Sequence, residues 1–198
     1  MSFIEEGKLG LDDPVYKYLP SFEKMNVLKN GRVSPAQKVI TIRHVLSMRG
    51  GLTYNRSPEF IEADKRGAST REMIDIIAKD PLIFEPGDDW FYSFSHDVLG
   101  AVLEVIAGKK FSEIIDERIM KPLGITGMGF FPSDDEKKRF VPMCQFNFKD
   151  YSTYPIDFGN YMYSPNFESG GGGLYGSNNE YMKLLFQRYA KASAKSQE

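Results

Sequence analysis

"EPGDDWFYSFSHDVLGAVLEVIAGK", residues 85–109, joins a turn, an aromatic cluster and an amphipathic helix in one short run. Pro86-Gly87 marks the turn, and a few extended residues follow it. Val98, Ala101, Val102, Val105 and Ile106 recur at i, i+3, i+4 and i+7. That spacing predicts one buried helical face, with Gly108 as the stop. Tyr92 stands where the chain enters this helix. It reads either as a core aromatic or as a reactive phenol at the mouth of a site.

Outward from this run, helix signals dominate. "FIEEGK" reads as a helix end closed by Gly7, and "LDDPVYKYLPSF" as a short helix with Pro14 in its first turn and Pro20 at its end. A polar loop follows. Thr41 is an N-cap candidate for a helix running to Gly50 and Gly51. Ser57-Pro58 opens the next helix, to about Arg66, and Ser69-Thr70-Arg71-Glu72 is a capping box for one ending near Asp80. "FSEIIDERIMKPLGI" is helical up to Pro122 and Gly124. From Phe130 to Pro165 the pattern is aromatic and Pro-punctuated, which predicts short strands and long loops. Ser177-Asn178-Asn179-Glu180 caps a last helix running into "AKASAKSQE". With no repeat and no linker, residues 1–198 read as a single, mainly helical domain.

The bulk numbers narrow the function. The chain has 198 residues, 41% hydrophobic and 26% charged, enough for a sizeable core. A net charge of −2 without a basic stripe argues against nucleic-acid binding. No apolar run approaches the roughly 20 residues that span a bilayer, and "MSFIEEGKLG" lacks the basic and apolar regions of an export signal. The single cysteine, Cys144, excludes an internal disulfide and reads as a small buried hydrophobe. His44 reads as a hydrogen-bonded core histidine and His96 as an exposed polar residue. Asp12-Asp13 reads as a turn and N-cap. No metal-ligand pattern is present, so no metal and no organic cofactor is expected. "GGGGLYG" formally fits G-x-G-x-x-G through Gly171, Gly173 and Gly176, but no apolar strand precedes it.

Four segments in order carry the functional signal: "EEGKLGLDDPVYKYLP", "ITIRHVLSMRGGL", "PGDDWFYSFSHDVLGAVLEVIAGKKFSEIIDERIMKPLGITGMGF" and "ESGGGGLYGSNNEYMKLL". Together they resemble the serine β-lactamase/penicillin-binding-protein-like hydrolases, in the branch of class C β-lactamases and related esterases, over most of residues 4–186. The resemblance implies an α+β fold of the β-lactamase/transpeptidase type, mostly α in this segment. Its N-terminal and C-terminal sheet segments are expected to lie outside these residues. The implied chemistry is acyl transfer through a serine acyl-enzyme. The family's site uses an S-x-x-K helix, a Y-x-N loop and a late K-T-G or H-x-G strand.

The resemblance maps the proton-relaying tyrosine onto Tyr92 and leaves Phe94 where the family has an asparagine. That departure favours simple esters over β-lactams. Phe94, Ser95, Gly171 and Gly172 are implied as pocket-lining residues. Of the other elements, "SFEK" at residues 21–24 and "KRG" at residues 65–67 match by pattern but sit in the wrong places. The family sets S-x-x-K just upstream of "EEGKLGLDDP" and its last strand after residue 190. A free tyrosine is only about one part in a thousand ionised at neutral pH, and closing that gap takes on the order of 4 kcal/mol of phenolate stabilisation. The chain alone is therefore expected to be inactive. A small ester or amide is the parent enzyme's expected substrate, and association with the missing segments of the fold is the expected partnership. The parent's compartment, cytoplasmic or periplasmic, stays open. The competing reading is a noncatalytic binding or scaffold module built on the same fold.

Overall fold

The computed structural model describes residues 1–156 and 164–195, with side chains to residue 186. The chain divides into two compact units: Met1–Phe111 with Ser164–Gly171, and Ser112–Tyr163 with Gly172–Glu198.

In the first unit, α1 (Ser2–Glu5) is followed by two single 3₁₀ turns, Val15–Lys17 and Pro20–Phe22. Pro14 and Pro20 sit at the starts of these turns, so the segment read as one helix is broken in two. The stretch read as a polar loop contains an antiparallel hairpin, β1 (Asn26–Lys29) and β2 (Arg32–Pro35), with Val27 opposite Ser34. Asn30 and Gly31 turn it with φ of 51° and 74°, the left-handed pair that such a two-residue turn requires. Leu82 adds to the other edge of β1, its N–H donating to Asn26 at 2.8 Å and its carbonyl accepting from Leu28 at 2.7 Å.

Four helices make the core. They are α2 (Ile42–Leu46), α3 (Pro58–Lys65), α4 (Thr70–Ile77) and α5 (Ser95–Ala107). α2 and α4 both pack on α5, burying Ile42 and Val45 from one side and Met73, Ile74 and Ile77 from the other. Thr41, Ser57 and Ser69 cap their helices, each side chain accepting from a backbone N–H three residues on. α2 stops several residues before Gly50, because Met48 turns left-handed at φ 57°. On α5 the buried positions are Ser95, Asp97, Val98, Gly100, Ala101 and Val102, while Val105 is 45% exposed. The face is rotated toward Asp97 from the one that the apolar spacing predicts.

Residues 164–171 return to this unit from far along the chain. Ser164 Oγ donates to the Ala68 carbonyl at 3.1 Å, Thr70 N–H to Asn166 O at 3.1 Å, and Glu168 N–H to Thr70 Oγ1 at 3.1 Å. Phe167 enters the core.

The second unit opens within a continuous helical run, α6 (Phe111–Ile115), a wide turn at Asp116–Met120 and α7 (Lys121–Leu123), closed by Gly124 as predicted. Its strands are short: β3 (Met128–Gly129) pairs with β6 (Tyr175–Gly176), and β4 (Cys144–Phe146) with β5 (Thr153–Pro155). This agrees with the short-strand reading, although residues 157–163 lie outside the described part. α8 (Asp134–Lys137) carries a reciprocal capping box, and Tyr175 O–H donates to Glu136 on it at 2.9 Å. α9 (Asn178–Lys195) is tied down at its start. Glu180 accepts from Thr126 N–H at 3.3 Å, and Lys183 Nζ donates to the Gly124 carbonyl at 2.9 Å. Cys144, read as buried, is exposed on β4. That hairpin has no packed face, as Phe146, Phe148, Tyr151 and Tyr154 are exposed too.

Candidate active site

The turn at Pro86-Gly87 is held by Arg49, whose guanidinium donates to the Gly87 carbonyl while its own carbonyl accepts from Gly87 N–H at 2.9 Å. Beyond it, Phe91 N–H bonds to Met48 O at 3.0 Å and Phe94 N–H to Thr53 O at 3.5 Å. These bonds clamp the segment at both ends without making it a strand. Trp90, Phe91 and Tyr92 project outward between the clamps, and Tyr92 is 54% exposed.

Behind Tyr92 lies a stack of rings running into the core. The Tyr54 ring is 5.5 Å from that of Tyr92 and 4.6 Å from that of Phe94, edge to face. Phe94 then meets Phe60 at 5.3 Å, and Phe60 meets Phe167 at 6.4 Å. Centroid separations of this size are those at which aromatic pairs attract. Tyr92 is thus the outermost ring of this stack and is exposed, where a core aromatic would be buried.

Two residues expected to line a pocket occupy the interior instead. Phe94 has no exposed surface because it is the middle of the ring stack. Ser95 is also fully buried, its hydroxyl 2.8 Å from that of Ser93, so two buried hydroxyls satisfy each other where α5 begins. Gly171 belongs to the returning segment of the first unit, and Gly172, which is exposed, to the second.

The glycine run has a steric explanation. A Cβ on Gly170 would lie 2.5 Å from the His96 carbonyl, and one on Gly171 would lie 2.7 Å from Asp97 Oδ2 and 3.4 Å from the Tyr54 hydroxyl. Only a chain without side chains passes this close to the first turn of α5.

Sequence reasoning passed over Asp97. It is 1% exposed, with Oδ1 accepting from Ser169 Oγ–H and from Gly171 N–H at 3.3 Å, while Oδ2 has no hydrogen-bond partner. Burial pushes its carboxyl above the usual range, against the pull of those two donors. The signal was present, since Asp97 lies three residues after Phe94 and four before Ala101, on the buried stripe. Tyr54 was missed for want of any local pattern.

The histidines have quieter roles. His44 is half-buried at the third position of α2, where its Nδ1 accepts from Thr41 N–H at 3.3 Å, a cap more than a core contact. Burial lowers its pKa below the ordinary histidine value. His96 Nε2 lies 3.5 Å from the Leu46 carbonyl. Ser21 Oγ donates to Asp75 at 2.7 Å on the surface, and residues 65–67 sit at the end of α3, where the Gly67 carbonyl accepts from Asn166 Nδ2 at 2.9 Å. Neither pattern match is brought into the aromatic stack. Among the described residues no three of His, Cys, Asp and Glu gather to hold a metal ion, and no helix is long and apolar enough to cross a membrane.

This mainly helical α+β chain has the β-lactamase/transpeptidase-like fold of the solved structures on which it superposes. The chain belongs to the Beta-lactamase family, whose model matches residues 1–198. It is 31% identical over 195 residues to Protein Rv1367c of Mycobacterium tuberculosis, covering 93% of this chain and 49% of that protein. It is 29% identical to Esterase EstB of Burkholderia gladioli, covering 93% and 52%. The solved structure of EstCE1, described as a hydrolase with promiscuous acyltransferase activity, superposes with a TM-score of 0.70 at 28% identity, covering 92% of this chain and 52% of that one. The chain spans about half the length of the curated relatives it matches.

Proposed function

We propose that this chain carries the tyrosine portion of a serine acyl hydrolase acting on simple esters, with Tyr92 as the general base that takes the nucleophile's proton and returns it to the leaving group. The observation that carries the reading is the placement of Tyr92, exposed at the tip of a ring stack that is buried from Phe94 inward. Membership of the Beta-lactamase family and the likeness to EstB and EstCE1 support acyl transfer as the chemistry.

An ester is favoured over a β-lactam because Phe94 puts a buried ring where the family pattern has an amide. No amide is then available at that position to hold a peptide-like side chain. Ser21, of the one S-x-x-K stretch, is bonded to Asp75 on the surface and is not the serine that Tyr92 serves. Gly171 brings backbone close to the first turn of α5, within the same unit as Tyr92. No cofactor is needed for such a step.

The test is hydrolysis of p-nitrophenyl butyrate, with fluorophosphonate labelling of the nucleophile, by the protein carrying these residues. Tyr92→Phe should lower kcat by about 10²–10⁴-fold, the usual worth of a positioned base. Unchanged turnover in that variant rejects the assignment. Absence of both turnover and labelling favours a binding module, for which Trp90, Phe91 and Tyr92 already offer an exposed aromatic surface.

A further inference from the structure

We infer that Asp97 is a positioning residue for Tyr92: its buried carboxylate latches residues 169–171 onto the first turn of α5, and Gly171 in turn seats Tyr54, the ring beside Tyr92. The inference rests on the reading of Tyr92 given above and names the part of the fold that aims it.

Three observations converge. First, Asp97 Oδ1 takes two donors from the returning segment, Ser169 Oγ–H and Gly171 N–H, across more than seventy residues of chain. Second, the approach leaves no room for a side chain, as Gly170 faces the His96 carbonyl and Gly171 faces Oδ2. Third, the Tyr54 hydroxyl lies on the same spot, 3.4 Å from where a Cβ on Gly171 would stand, and its ring touches both Tyr92 and Phe94. Asp97, Gly171, Tyr54 and Tyr92 are therefore successive neighbours, all inside the first unit, with the Tyr54 hydroxyl facing the side of Gly171 where a Cβ would stand.

Stability alone is a poor reason for this arrangement. An acidic side chain with one oxygen buried and unpartnered is costly, and an apolar residue at this helix position would avoid that cost. Local arrangements that cost stability are concentrated where placement matters to function.

The experiment uses the full chain labelled with ¹³C-tyrosine, its Tyr54 and Tyr92 signals assigned with Tyr54→Phe and Tyr92→Phe. Amide exchange is followed at Gly171. Asp97→Ala should accelerate that exchange about tenfold or more, as loss of a buried hydrogen bond does, and should shift the Tyr54 and Tyr92 signals together. Asp97→Asn keeps an acceptor oxygen and should restore both readouts.

Gly171→Ala should lower Tm in the parent chain but far less in the Asp97→Ala background, where the opposing oxygen is gone. The backbone at Gly171 is not in the left-handed region, so this coupling reports the contact itself. If Asp97→Ala does not fold, Ser169→Ala removes one donor and should move exchange and both signals in the same direction by less. A Tyr92 signal and a Gly171 exchange rate that stay at parent values in Asp97→Ala, or in Ser169→Ala where that substitutes for it, overturn the inference. Ester turnover is a separate readout. If the latch behaves as stated but Tyr92→Phe leaves turnover unchanged, the functional reading fails and the latch stands.

Discussion

The two units use the same local devices to different effect. Each contains a reciprocal capping box, Thr41 with His44 in the first and Ser133 with Glu136 in the second. The helix behind Thr41 buries Ile42 and Val45 against α5, whereas α8, behind Ser133, buries nothing. The first unit encloses Phe22, Phe60, Phe94 and the α2, α4 and α5 faces, while the second keeps a smaller set around Ile114, Met120, Ile125 and Phe130. A cap defines where a helix begins, but only packing makes that beginning matter to the rest of the molecule. Tyr92, the tyrosine proposed as the general base, stands on the better-packed unit, as expected of a group that must be held still.

Breaking the ring stack should show the contrast most strongly. Phe60→Ala removes a fully buried ring and is expected to cost about 3–5 kcal/mol in denaturant unfolding, whereas Phe148→Ala, at 83% exposure, should stay within about 0.5 kcal/mol. Comparable losses at the two positions would remove the distinction between the units. The caps come next. Thr41→Ala should cost about 1 kcal/mol, and Ser133→Ala no more than a few tenths on the same measurement, because none of the four residues of α8 is buried.

Titration sharpens the comparison from opposite ends of the pH scale. In the first unit Asp13 accepts from Tyr18 O–H at 2.6 Å, Gly10 N–H at 2.9 Å and Lys17 Nζ at 3.0 Å, and these bonds hold its pKa at about 2. A depressed carboxyl favours the folded state above its unfolded pKa near 4 and loses that contribution as pH falls through about 2. With solvent screening at this part-exposed site it is worth on the order of 1 kcal/mol. The stability difference between the parent and Asp13→Asn should therefore shrink across that acid window.

In the second unit burial, followed by the bond to Glu136, pushes Tyr175 up to about 12. A raised phenol favours the folded state below pH 10 and loses that contribution as pH rises through about 12. Tyr175→Phe should flatten the alkaline loss and leave the acid limb unchanged. Far-ultraviolet circular dichroism during each titration checks both expectations, which are the smallest of the set.

What could be read from the sequence followed the range of the interaction. Caps at Thr41, Ser57 and Ser69, the stop at Gly108 and the short-strand character after Phe130 were legible because each is decided within a few residues. The hairpin at Asn30-Gly31 should have been legible too. Its turn pair was plain, but the flanking strands are nearly all exposed and gave no alternation. The interior placement of Phe94, in the ring stack that reaches Phe167, and the burial of Asp97 depend on residues 164–171 arriving from elsewhere. No window of sequence contains both sides of those contacts. Cys144 was misread because its type is usually buried, whereas the hairpin that carries it has no packed face.

The returning segment also constrains how the molecule can assemble during synthesis. Ser164, Asn166, Phe167 and Ser169 complete a core whose other walls leave the ribosome some hundred residues earlier, as the separation of 96 residues between Ser164 and Ala68 illustrates. Until that stretch emerges, Phe60 lacks a neighbour and Asp97 has nothing to grip. A nascent chain paused near residue 111 would expose an open apolar face for as long as the intervening half takes to be made, and is the species most in need of a chaperone.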